Sequence, residues 1–257
     1  MKQSKKVVDA RRQSILDALI KDPNLTADDL ASLLNVSALT IRRDFQYLED
    51  RERITRHYGG AKVVESFLDK TNRHDLSEIR KNLIARKAAE FVKDGDTIFI
   101  NTSSTALLIL KYIKDKNVNV ITNNANSLLL KREYNINIIL SGGELREPKN
   151  SMVGEFAYSN ISRVTANKCF IGCSGISAKV GITTAALAEV AINELMLKQC
   201  TGPRFVLAES TKVGHNHSFV SSSLERINVL ITDQEANKDE LDQIRSHDVE
   251  VITISEF

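Results

Sequence analysis

The chain has 257 residues, 42% hydrophobic and 26% charged, with no Trp and a formal net charge of +2. That length suits two unequal domains with aliphatic cores. No run of about 18 apolar residues occurs, which argues against a membrane helix. The basic start MKQSKKVVDARR has no apolar stretch behind it, so no signal peptide is expected. Cys169, Cys173 and Cys200 make an odd number without metal-like spacing. They point to a reducing cytoplasm, no disulfide framework, no metal and no other cofactor.

The charge is unevenly placed. Residues 1–62 hold 12 Lys/Arg and 9 Asp/Glu, whereas residues 63–257 hold 23 and 24. The excess comprises Lys2, Lys5, Lys6, Arg11 and Arg12, then Arg42, Arg43, Arg51, Arg53, Arg56 and Lys62. Clustered positive charge of this kind suits a stretch of DNA backbone.

Ile15, Leu16 and Leu19 mark one apolar face of a helix from about Asp9 to Ile20, stopped by Asp22-Pro23-Asn24. Thr26 caps a second helix, with Asp28 and Asp29 in its first turn and Leu30, Leu33 and Leu34 as its buried face. Asn35-Val36 is a tight connection, and Ser37 caps a third helix. Ile41, Phe45 and Leu48 recur at i, i+4, i+7 and point inward. Thr40, Arg42, Arg43 and Gln46 therefore point elsewhere, and the start of this helix can enter a major groove. An arginine bridges guanine O6 and N7 or grips phosphate, and Ser37 and Thr40 are small enough for close approach. In RITRHYGGAKV, residues 53–63, the Ile54 alternation and Gly59-Gly60 read as a short β-wing. Arg56 and His57 on it lie near the flanking backbone or the minor groove.

The stretch LASLLNVSALTIRRDFQYLEDRERITRHYGGA resembles the N-terminal winged helix-turn-helix of the DeoR family of bacterial transcription regulators. The matching elements are the Val-Ser before the third helix, Thr40-Ile41-Arg42-Arg43-Asp44, Leu48 and the Arg-x-His wing. His57-Tyr58-Gly59-Gly60 has one residue more than the family's His-Gly-Gly, and Phe45 stands where Leu is usual. The resemblance implies DNA binding by Ser37, Thr40, Arg42, Arg43, Gln46, Arg56 and His57. It also implies a homo-oligomer, since one winged unit contacts few base pairs and paired half-sites supply affinity.

Residues 63–75 show no clear period and read as a linker between a DNA-binding domain, 1–62, and an effector-sensing domain, 76–257. In the latter, Ile79, Leu83, Ala88, Phe91 and Val92 suggest a helix. Seven apolar, β-branched runs then read as strands: 97–100, 118–122, 136–140, 168–173, 205–208, 229–232 and 249–254. Helix-compatible stretches lie between most of them. The fold class is α/β, a doubly wound, mostly parallel sheet.

Ligands of such sheets gather beyond the carboxyl ends of the strands. The segments there are Asn101-Thr102-Ser103-Ser104-Thr105, Thr122-Asn123-Asn124, Ser141-Gly142-Gly143-Glu144, Ser174-Gly175-Ile176 and Glu209-Ser210-Thr211-Lys212. Their hydroxyls and free N–H groups suit phosphate, Glu144 and Glu209 can accept from sugar hydroxyls, and Lys212 can pair with an anion. The candidate effector residues are therefore Asn101, Ser103, Ser104, Thr105, Asn123, Gly142, Gly143, Glu144, Ser174, Gly175, Glu209 and Lys212.

This region resembles the DeoR effector domain, which is related in fold to ribose-5-phosphate isomerase and senses phosphorylated sugars or related metabolites. The family's Asp-x-Gly-Thr-Thr loop falls on residues 101–105, with Asn101 in place of Asp and Ser103 in place of Gly. Its Asp-x-x-Lys appears as Glu209–Lys212, and Ala191 follows Glu189-Val190 where many members carry lysine. The alternative is an isomerase using Glu144, Glu189 or Glu209 as base, against which stand Asn101 and the DNA-binding unit. His215-Asn216-His217 lies in a polar loop without the supporting ligands of a metal hydrolase. The expected function is a non-enzymatic repressor of carbohydrate-metabolism genes, partnered by operator DNA and a phosphorylated sugar, with no membrane association.

Overall fold

The computed structural model describes residues 5–57, 60–130 and 135–255. Lys2, Tyr58 and Gly59 lie outside the described residues. The chain divides into two compact units, Met1–Leu76 and Ser77–Phe257.

Unit 1 contains α1 (Lys5–Lys21), α2 (Ala27–Leu33), α3 (Ala38–Glu49) and the antiparallel hairpin β1 (Ile54–His57) and β2 (Gly60–Val63). Thr26 and Asp29 cap α2 reciprocally: Asp29 N donates to Thr26 Oγ1 at 3.2 Å and Thr26 N to Asp29 Oδ2 at 2.9 Å. Asn35, at φ 52°, makes the left-handed turn before α3. Ser37 caps α3 by accepting from Thr40 N at 3.2 Å. Ile15, Leu16, Leu19, Leu30, Ile41, Phe45, Leu48 and Ile54 form one core. Leu33 departs from expectation and is 64% exposed. The short α2 turns Ala27, Leu30 and Ala31 inward, a stripe at i, i+3, i+4 that leaves position 33 outside.

The expected linker is largely helical. Residues 63–64 end the wing, and α4 (Glu65–Ala89) then runs for 25 residues across the division between the units. Its opening half is polar and charged, with Phe67, Leu68 and Leu76 as its only large apolar residues up to Leu76. It continues without a break into the apolar face of Ile84, Ala85 and Ala88, so its own lack of period did not reveal the helix.

Unit 2 continues through β3 (Thr97–Ile100), α5 (Ser104–Leu107), β4 (Val118–Thr122), β5 (Ile136–Leu140), β6 (Glu144–Arg146), β7 (Ser151–Val153) and α6 (Glu155–Ser162). There follow β8 (Lys168–Gly172), β9 (Gly175–Ser177), β10 (Gly181–Thr184), α7 (Leu187–Lys198), β11 (Arg204–Leu207), β12 (Phe219–Ser222), β13 (Val229–Asp233), α8 (Lys238–Arg245) and β14 (Glu250–Ile254). The seven strands expected from the sequence form one parallel sheet, in the order β14-β13-β11-β8-β3-β4-β5. Their ends shift by no more than one residue.

Alternate residues serve opposite faces of this sheet. Ile98, Ile100, Phe170, Phe205 and Ile231 pack with Ile84, Ala85 and Ala88 of α4. Phe99, Cys169, Ile171, Val206 and Leu230 pack with residues of α6, α7 and α8. Phe170 and Phe205 stack with ring centroids 4.7 Å apart. Asp96, just before β3, receives Lys168 Nζ at 2.6 Å and Asn167 Nδ2 at 2.7 Å. Burial raises its pKa, but the Lys168 and Lys93 hydrogen bonds outweigh burial and hold it below 3.8. The β6–β7 hairpin and the antiparallel sheet β12-β10-β9 have no counterpart in the sequence reading. At three or four residues each, they are too short to set a period.

Chain order grows outward in both directions from β3 and β8. These two strands are neighbours, and their carboxyl ends form the topological switch point where open α/β sheets bind ligands.

Candidate functional site

In unit 1 the core stripe of α3 fixes what the helix presents outward. Opposite Ile41, Phe45 and Leu48 lie Leu39, Arg43 and Gln46, flanked by Arg42 and Thr40. Arg42 and Arg43 are exposed and make no hydrogen bond or ion pair among the described residues. Ser37 and Thr40 are joined through their hydroxyls at 2.9 Å. Gln46 Nε2 donates to Asp50 Oδ1 at 2.8 Å, one turn further on. On the wing, the Arg56 guanidinium turns back to Glu49, with Nε donating to Oε2 at 2.6 Å. The Arg56 backbone N–H and then its side chain lower the Glu49 pKa. His57 is exposed at the end of β1.

Two of the clustered cations have a different role from the one expected. Arg11 Nε and Arg12 Nε donate to Asp44 Oδ2 and Oδ1 at 2.7 and 2.8 Å, and Asp44 is 2% exposed. Arg12 and Arg51 also stack on the ring of Tyr47, at 3.3 and 3.7 Å from its centroid. The aspartate after Arg42-Arg43 thus clamps α1 to α3. A local reading could not find this, because the partners are 32 and 33 residues apart. Leu39 was also missed. It is 57% exposed at the start of the presented face, where an apolar side chain can meet a thymine methyl.

In unit 2 a cavity of about 790 Å³ opens at the switch point. Its polar wall includes Asn101, Ser103, Ser104, Ser174 and Lys212 from the expected set. Asn101, 2% exposed, ties the ends of β3 and β8 together. Its Nδ2 donates to Gly172 O at 2.9 Å and to Asn193 Oδ1 at 3.0 Å, and its Oδ1 accepts from Gly172 N at 3.0 Å. An aspartate could not donate either of the first two bonds. The neutral side chain at 101 therefore fits the amide it meets at 193. Gly172 is required for close approach, since a Cβ there would lie 2.0 Å from Ser103 Oγ.

Several cavity residues lie outside the expected effector set. Lys149 Nζ donates to Glu189 Oε1 and Oε2 at 3.2 and 3.1 Å, and Thr184 Oγ1 donates to the same carboxylate at 2.9 Å. Asn193, Asn126, Glu78 and His217 line the wall, with Leu107, Leu108, Leu129 and Leu130 as its apolar part. The sequence shows Ala191 after Glu189-Val190, yet Ala191 is exposed and α7 turns position 193 to Asn101 instead. Lys149 sits before the short β7, which no period announced. Cys173 also lines the cavity, and burial raises its pKa to about 11 while nearby Lys212 pulls it down.

The remaining expected residues do not line the cavity. Thr105 is buried in α5, and Asn123 donates to Met152 O at 3.1 Å. Gly143, at φ 105°, packs where a Cβ would lie 2.5 Å from Val153 O, and Gly142 precedes it in the same turn. Glu144 is exposed and faces Arg146 at 3.3 Å. Gly175 lies in β9 against the backbone of His215. Glu209 is 5% exposed beneath two partners, Ser77 Oγ at 2.5 Å and Lys212 Nζ at 3.6 Å. His217 N donates to Thr183 Oγ1 at 3.0 Å. Among the described residues, no group of three His, Cys, Asp or Glu side chains could hold a metal. None of the described helices is long and apolar enough to cross a membrane.

Comparison with known proteins agrees with this two-part construction. A DeoR-like helix-turn-helix domain matches residues 11–67, and a DeoR C terminal sensor domain matches residues 77–234. The HTH-type transcriptional regulator GolR of Listeria innocua is 31% identical over 233 residues, covering 89% of this chain and 91% of that one. A lactose phosphotransferase system repressor of Lactococcus lactis is 32% identical over 245 residues, covering 92% and 95%. Among solved structures, ribose 5-phosphate isomerase A of Methanocaldococcus jannaschii overlaps 53% of this chain and 54% of that one, at 16% identity and a TM-score of 0.38. The chain belongs to the DeoR family, as a transcriptional regulator that joins a helix-turn-helix domain to a sensor domain.

Proposed function

We propose that the chain represses carbohydrate-metabolism genes by placing the start of α3 in the major groove of operator DNA. A phosphorylated sugar bound in the unit 2 cavity relieves the repression. In this reading Arg43 and Arg42 face DNA, supported by Ser37, Thr40, Gln46, Arg56 and His57. The protein works in the cytoplasm as a homo-oligomer that pairs two half-sites. The observation that carries the effector assignment is the switch-point cavity, whose wall combines Lys212 with Ser103, Ser104 and Ser174. That set suits a phosphate group and its attached polyol. Relatives named as repressors of a lactose phosphotransferase system support the carbohydrate assignment.

The same geometry disfavours isomerisation. A base must be available to take a proton from carbon. Asn101 spends its amide on the protein, Glu189 is occupied by Lys149 and Thr184, and Glu209 by Ser77 and Lys212. The full chain should therefore return no isomerised product from pentose or hexose phosphates, and turnover would refute the sensor reading.

Selection of duplexes from a random pool by the full chain would yield an operator. Titrating pentose and hexose phosphates into that complex should identify one that releases the DNA. Lys212→Ala should weaken this response roughly tenfold or more, the loss of a charge-assisted hydrogen bond. A variant that responds at the wild-type concentration would remove Lys212 from the site.

A further inference from the structure

Along the chain, unit 2 connects to unit 1 only through α4, which is unbroken from Glu65 to Ala89. Two α4 residues just inside unit 2 are held by carboxylates from the ends of the sheet. Ser77 Oγ donates to Glu209 Oε2 at 2.5 Å, and Arg80 Nε lies 3.8 Å from Asp233 Oδ1. Glu209 follows β11 and Asp233 ends β13, two neighbouring parallel strands. Asp233 Oδ2 also accepts from Ser210 N at 2.7 Å, so the loop after β11 and the turn of α4 share anchors. Glu78, beside Ser77, itself lines the cavity.

The Glu209 carboxylate stands between α4 and the cavity. One oxygen holds Ser77, while the other lies 3.6 Å from Lys212 Nζ on the cavity wall. A separation of 3.6 Å is an ion pair without a hydrogen bond, so the ammonium keeps its protons for another acceptor. An anion in the cavity competes with Glu209 for that ammonium. Glu209 is 5% exposed, and a buried carboxylate deprived of its cation is costly. It relieves that cost by swinging toward other donors, and that swing carries its oxygen away from Ser77.

We infer that Ser77 is the positioning residue through which the cavity acts on α4. With Lys212 against Glu209, the Ser77 tie is made; with Lys212 on a bound anion, it is released. This rests on the reading of the cavity as a sensor for an anionic metabolite. A ligand moves such an equilibrium only by binding one state better than the other. Here the difference is built in, because the tied state keeps Lys212 beside a competing carboxylate. Freed of that tie, the helix opens more readily, and local opening is a means by which distant sites are coupled.

The test uses the full chain, its Ser77→Ala and Ser77→Thr variants, and inorganic phosphate as the anion probe. Phosphorus NMR line broadening reads binding, and hydrogen exchange reads protection of the α4 amides. Phosphate should speed α4 exchange in the wild type. Ser77→Ala should exchange fast without phosphate, gain nothing more on its addition and still bind it. Ser77→Thr, which keeps the hydroxyl, should behave as the wild type. Without phosphate, Ser77→Ala should also shift affinity for the selected duplex by about tenfold, within the usual range of allosteric coupling. If phosphate binds both proteins and their α4 amides respond alike, the inference is overturned and the sensor reading survives. If neither phosphate nor any sugar phosphate binds the wild type, both fall together.

Discussion

The presented face of α3 in unit 1 and the cavity of unit 2 treat their cations in opposite ways. In unit 1, Arg11 and Arg12 are tied to Asp44 and Arg56 to Glu49, while Arg42 and Arg43 on the presented face of α3 are left without partners among the described residues. In unit 2, both cavity lysines already face carboxylates, Lys149 with Glu189 and Lys212 with Glu209. The ligands expected of each explain the contrast. Duplex DNA presents a dense row of phosphates, and an unpaired arginine meets it with little to give up. A small metabolite brings one or two charges and must compete with an internal carboxylate. That competition makes its arrival felt by the protein, because a pair that opens has consequences elsewhere.

Four measurements test this contrast. The largest effect should come from Asp44→Ala, which strands two part-buried guanidiniums between α1 and α3. Urea unfolding followed by signals from unit 1 should show a loss of about 3 kcal/mol or more, the usual result of removing one partner from a buried ion pair. Gly172→Ala comes next, since its Cβ would have to displace Ser103 from the cavity floor. A stability loss of about 1–3 kcal/mol is expected, together with loss of the sugar-phosphate response in the operator assay. Unaltered effector binding would show that the floor can move aside.

Arg43→Ala should weaken operator binding by roughly 1–3 kcal/mol if the guanidinium reads a guanine, with relaxed preference at one base pair. If it grips phosphate, the salt dependence of binding should lose about one unit of slope instead. Identical binding in both respects would place Arg43 off the DNA. The smallest effect is a pH dependence centred on Asp96. Its folded pKa lies below the unfolded value of 3.8, so its contribution to stability is complete above that value. The contribution fades as the pH falls through the lower, folded value. Asp96→Asn should therefore flatten the acid limb of unit 2 unfolding and leave the neutral plateau's shape unchanged.

Much of the fold was legible because its signals are local. Ser37 and Thr26 announce helix starts through cap chemistry, and Ile41, Phe45 and Leu48 mark a buried stripe. Strands covered on both faces show as unbroken apolar runs, so all seven strands of the parallel sheet were found. The misses share a cause as well. The first half of α4 carries no apolar period, and β6, β7, β9, β10 and β12 are too short to display one. Leu33 was placed inside on one face with Leu30 and Leu34, although the seven residues of α2 turn Ala27, Leu30 and Ala31 inward.

By itself, the sequence determined the order of the three unit 1 helices and of the seven parallel-sheet strands, the cap of α3, its exposed arginines and the hydroxyl-rich ends of the strands. All of these depend on neighbours within a few residues. Only the tertiary structure decided which of those strand ends share a cavity, because adjacency in the sheet brings residues 101 and 172 together and leaves 144 at the surface. It also decided which charges are spent. Asp44 with Arg11 and Arg12, Lys149 with Glu189, and Ser77 with Glu209 are pairs 32 to 132 residues apart. Their energies depend on distance and burial, and sequence spacing encodes neither.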